Sequence, residues 1–140
     1  MTETPDQAPP QNLPPPPSVN RWALYFGLVG GPIAWLIHLL VAYVVAEFGC
    51  LTPFRDVSYA GITAIAWIIL GVTVLTLLAA LAATYTAYRL DLVLEVDLRG
   101  GTDTPLSRAH LARLGIITSG IFAFIIIAET IPVFYFLRSC

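Results

Sequence analysis

Residues 22–48 read WALYFGLVGGPIAWLIHLLVAYVVAEF, an apolar run whose only carboxylate or imidazole side chains are His38 and Glu47. A helix needs about 20 mostly apolar residues to cross the hydrocarbon of a bilayer, and Trp22–Phe48 exceeds that length. Two further stretches match it. Tyr59–Ala87 has no acidic, basic or imidazole side chain, and Leu114–Leu137 has only Glu129. These three runs predict an all-α integral membrane protein with three transmembrane helices. Composition points the same way: 57% of the residues are hydrophobic, 11% are charged and the mean hydropathy is +0.78, outside the range of soluble domains. In 140 residues the stretches between spans are too short for a separate soluble catalytic domain. One membrane domain over 21–140 is expected behind a tail over 1–20.

That tail, MTETPDQAPPQNLPPPPSVN, holds seven of the eleven prolines and is expected to be disordered and polyproline-like. The sharper alternative is that Leu13–Pro17 docks in a groove on a partner. Glu3 and Asp6 stand where a secretory signal would carry basic residues, and a full-length span follows, so no cleavage is expected. All seven basic residues are Arg and the net charge is −2, which offers no basic surface for nucleic acid. Arg21, Arg89, Arg99, Arg108 and Arg113 fall on one side of the spans, and Arg55 and Arg138 on the other. The positive-inside rule then predicts a cytoplasmic N-terminus and second loop, with Gly49–Ser58 and the C-terminus outside. A multi-pass protein of the bacterial inner (cytoplasmic) membrane is expected. Trp22, Tyr25, Tyr85 and Tyr88 would form one interfacial belt, with Tyr59, Phe134, Tyr135 and Phe136 in the other.

The stretch after span two is ambiguous. Leu90, Leu92, Leu94, Val96 and Leu98 alternate as in a strand, yet Leu90, Leu94 and Leu98 also form a helical stripe. The helix is favoured because the segment grows out of one and a lone ribbon would be marginal. It is expected to end at Gly100–Gly101, with Thr104 and Pro105 opening the next helix, so that a cytoplasmic helical hairpin joins helices 2 and 3. Small residues are spaced for close helix contact at Gly27–Gly31, Ala60–Ala64, Ala79–Ala83 and Gly115–Ser119–Ala123. Pro32 and Pro132 are expected to kink their helices.

His38 and Glu129 fall at nearly the same depth, slightly outward of the midplane, when residues are counted from the centres of their spans. A charge there costs roughly 2.5 kcal/mol or more, so pairing or neutralisation is expected. The plainest reading is a structural hydrogen bond between two buried polar groups. Contact of either residue with another subunit, or proton transfer or quinone binding, stands beside it. Intrachain haem or metal ligation is disfavoured because the only other imidazole, His110, lies near the opposite edge. Cys50 and Cys140 are both expected outside the membrane, where a disulfide would tie the end of helix one to the end of helix three. Unrelated thiols, a lipidated cysteine or a copper site remain open for that pair.

Gly31-Pro32-Ile33-Ala34-Trp35, followed by His38, Tyr43 and Cys50, and a last span reading Ala128-Glu129-Thr130-Ile131-Pro132 before Cys140, resemble a family of small three-span proteins associated with bacterial respiratory haem-copper oxidases. In size and character the chain is also similar to the accessory subunits of alternative complex III. The proline tail and acidic second loop depart from the usual short basic form. The resemblance implies no catalytic, cofactor-binding or metal site. It implies a non-catalytic accessory subunit that braces larger integral membrane subunits of a respiratory complex, in contact with lipid. A transient oxidase assembly factor handling thiols or copper, and a small homo-oligomeric transporter or channel, are the alternatives.

Overall fold

The computed structural model describes residues 20–99 and 106–136. Three helices dominate: α1 (Arg21–Leu51), α2 (Ala64–Arg99) and α3 (Leu106–Phe136), of 31, 36 and 31 residues. At 1.5 Å per residue they are about 46, 54 and 46 Å long, and each outreaches the roughly 30 Å hydrocarbon layer. Within them Arg21–Gly49, Ala64–Glu95 and Arg108–Pro132 are long and apolar enough to cross a membrane. This is the architecture of a multi-pass membrane protein.

Asn20 starts α1, its side-chain oxygen accepting the Trp22 amide at 3.0 Å, which satisfies one of the donors that a helix start leaves open. A 3₁₀ turn over Pro53–Asp56 and a two-stranded hairpin, β1 (Ser58–Tyr59) against β2 (Ile62–Thr63), connect α1 to α2. Ala60 and Gly61 form the tip with φ of 54° and 77°, the pair of left-handed residues that a tight two-residue hairpin requires. The second span therefore does not begin at Tyr59. Residues 58–63 reverse direction outside it, the Trp67 indole donates to the Tyr59 carbonyl at 3.3 Å, and the helix starts at Ala64 with the Thr63 hydroxyl accepting from the Ala66 amide.

At its other end α2 continues as a helix through Leu90–Arg99. The helical stripe wins over the alternating pattern because it has something to pack on: Leu94 is fully buried with Leu90 beside it, against Ala109 and Ala112 of α3 and Leu24 of α1. Leu92 and Val93 point outward. Arg113 of α3 donates to Asp91 at 3.2 Å across the same junction. Gly100, Gly101, Thr104 and Pro105, expected to end one helix and open the next, lie outside the described residues.

All three helices touch one another, with α1 antiparallel to α2 and parallel to α3. Their interface is built from small residues. A methyl group added to Gly31 would lie 2.5 Å from the Ser119 Cα, and one on Gly115 would lie 3.1 Å from the Gly27 carbonyl carbon. Helices approach this closely only where side chains vanish, and tight backbone contact is what holds membrane helices together when lipid is as apolar as their core. The α2 contribution is Ala80, Ala83 and Ala87, all buried, rather than an Ala79–Ala83 pair, since Ala79 faces outward. Ala60, at the hairpin tip, takes no part in helix packing. Large apolar side chains such as Leu40, Leu75, Phe124 and Ile131 stand on the outside, while alanine, serine, threonine and histidine fill much of the inside. That distribution is inverted relative to a water-soluble protein and suits a surrounding of hydrocarbon.

Candidate functional site: a polar layer within the bundle

On the hairpin side of the bundle's midpoint the core changes from alanine to polar groups. His38 of α1 is 1% exposed. Thr73 and Thr76 of α2 and Thr130 of α3 are buried close by, while Trp35 and Glu129 are half-buried at the edge of the same layer. Their hydrogen bonds can be assigned from donor counts. Each threonine hydroxyl has one proton, and each gives it to the carbonyl four residues earlier: Thr73 to Ile69 at 2.8 Å, Thr76 to Val72 at 2.8 Å and Thr130 to Ile126 at 2.7 Å. This back-bonding is how a hydroxyl satisfies itself inside an apolar helix. Thr76 therefore acts as acceptor toward the His38 ring, whose Nδ1–H donates to it at 3.4 Å. The Thr73 and Thr130 oxygens face each other at 3.4 Å with both protons already committed.

Glu129 is held by a different partner. The Trp35 indole N–H points between its two oxygens, donating at 3.1 and 3.2 Å, and Phe122 of α3 braces the indole with ring centroids 5.2 Å apart. The structure thus brings His38 and Glu129 into one layer without a hydrogen bond or ion pair between them. The expected direct pair is replaced by two separate ones, His38 with Thr76 and Glu129 with Trp35. Depth counting finds the layer but not the rotation of each helix, and rotation decides which side chains meet. A half-buried indole N–H needs an acceptor, and that requirement was the available signal for Trp35.

Nearer the arginine-rich end, the Ser119 hydroxyl donates to the Gly27 carbonyl at 2.8 Å. This bond crosses between α3 and α1 where they are closest. His110 lies on the outward face of α3 at that end. Among the described residues no three His, Cys, Asp or Glu side chains converge as a metal site would require. Cys140 and the Cys50 side chain lie outside the described residues, so the expected bridge does too.

With its hydroxyl protons spent on backbone carbonyls, the layer does not line up donors and acceptors in a transmembrane chain. It presents a carboxyl group inside the third apolar span with one described donor for two oxygens. Comparison with protein-family models, curated proteins and solved structures returns no match.

Proposed function

We propose that this chain is a non-catalytic accessory subunit of a larger membrane complex, of the respiratory type, and that it docks against a bigger helical subunit through the face around Glu129. The half-buried Glu129 carries the reading. Its two oxygens offer about four lone-pair sites, the described residues supply only the Trp35 N–H, and hydrocarbon supplies nothing. Acidic groups at such depth are kept where they meet protein or a polar cavity, so a donor from a neighbouring subunit would complete the site. Gly71 on α2 and Gly120 on α3 have open space where a side chain would be, room for a second close helix approach.

The two stretches that carry the resemblance to oxidase-associated proteins also meet: Trp35 of the first donates to Glu129 of the second. That supports treating them as one packed unit rather than as scattered similarities. On this reading the arginine-rich end faces the bacterial cytoplasm, as its charge asymmetry favours.

The test is extraction of the full chain in mild detergent, followed by native-gel separation and identification of co-migrating chains. A stoichiometric, multi-span respiratory partner is expected, and Glu129→Ala should release it while the chain remains in the membrane. Migration as a lone species, or co-migration unaffected by Glu129→Ala, would remove the reading.

A further inference from the structure

At the arginine-rich end a cleft of about 250 Å³ opens between the starts of α1 and α3, lined by Arg21, Leu24, Tyr25, Leu28, Arg108 and Leu111. Two other arginines at this end are engaged: Arg113 with Asp91, and Arg89 with the Tyr85 hydroxyl and ring. Among the described residues, Arg21 and Arg108 have neither a hydrogen-bond nor an ion-pair partner. Two like charges at one cleft repel, and guanidinium groups match phosphate oxygens in a two-pronged geometry. The remaining lining is leucine, with a tyrosine hydroxyl at interfacial height. Because α1 and α3 run parallel, both helix starts also turn their positive dipole ends toward the same end.

We infer that this cleft binds an acidic glycerophospholipid, the phosphate between Arg21 and Arg108 and an acyl chain along Leu24, Leu28 and Leu111. The order of groups is that of a lipid: charge at the helix starts, a phenol beside them, and apolar side chains one and two turns deeper. Basic clefts between membrane helices recognise acidic headgroups in this way. The inference stands independently of the proposed partner complex, and it holds for either orientation across the bilayer.

The full chain, purified in a neutral detergent, is titrated with phosphatidylglycerol or with phosphatidylcholine of the same acyl chains, and bound lipid is counted by native mass spectrometry. An interfacial arginine is worth roughly a fivefold preference for acidic lipid. The wild-type chain should therefore prefer phosphatidylglycerol by about 25-fold, each of Arg21→Gln and Arg108→Gln should cost about fivefold, and the double variant should abolish the preference. Arg89→Gln, which removes an equal charge outside the cleft, should leave it unchanged. Equal wild-type affinity for the two lipids overturns the inference, and this comparison stands even if the double variant fails to fold. An equal loss with Arg89→Gln overturns it too, since net charge alone would then suffice. So does displacement of the lipid by millimolar inorganic phosphate, because the leucine floor would then contribute nothing.

Discussion

Gly31→Ala adds one methyl group at the point where α1 and α3 come closest. The new carbon would sit 2.5 Å from the Ser119 Cα and 2.8 Å from its Cβ and Oγ, against the 3.5–4.0 Å or so at which carbons rest. Backbone cannot swing aside as a side-chain tip can, so the helices must part by roughly 1 Å. Overpacking of this kind costs about 1–3 kcal/mol. Separation also stretches the 2.8 Å bond from Ser119 to the Gly27 carbonyl, worth about 0.6 kcal/mol on the average for membrane helices. A loss of about 2–4 kcal/mol is expected from these two terms. Gly71→Ala is the control, since nothing lies within 4 Å of its added methyl. Spans stay helical even when the bundle is dissociated, so helix propensity largely cancels and Gly71→Ala should fall within about 0.5 kcal/mol of wild type. Unfolding in mixed micelles of rising sodium dodecyl sulfate fraction, followed by tryptophan fluorescence, measures both. If Gly31→Ala is no less stable than Gly71→Ala, close backbone approach is not what holds this bundle together.

The helical hairpin makes a second contrast. Leu94→Ala should cost about 2–5 kcal/mol in the same assay, because Leu94 is fully buried; Asp91→Asn should cost less than about 1 kcal/mol, because its partner Arg113 is 59% exposed. Trp35→Phe strips Glu129 of its one described donor and should destabilise by about 1–3 kcal/mol. Trp35→Phe combined with Glu129→Leu should recover most of that loss, since removing both partners leaves no unsatisfied group. Cys50 and Cys140 are expected to form a disulfide, because α1 and α3 end at the same end of the bundle. Thiol alkylation of oxidised membranes should label neither cysteine until a reductant is added.

The spans were legible because oil-like runs of such length have one use. The extension of α2 through Leu94 was legible because leucine every fourth residue outweighed the alternation once another surface stood opposite it. The start of α2 was not. Tyr59-Ala60-Gly61-Ile62 carries no charge to mark it off from the span that follows, and its turn places Ala60 at a left-handed position where Asn is the usual signal. Nor was the inward face of α2 legible, since Leu77–Ala83 contains alanine at 79, 80, 82 and 83 and hydropathy does not rank one rotation above another. Only the facing small residues of α1 select that face: Gly27 meets Ala87, Gly30 meets Ala83, and Ala34 shares a cluster with Ala80. His38 and Glu129 were found as a layer because depth is linear in residue count, and mispaired because azimuth is not.

The close fit at Gly27, Gly31, Gly115 and Ser119 carries a lesson about descent. Outward leucines and isoleucines meet only acyl chains and are free to exchange for one another, so sequences drifting from a common ancestor would lose identity over most of their length. The spacing of the smallest residues would persist, and a search keyed to that sparse pattern should reach relatives that overall similarity misses.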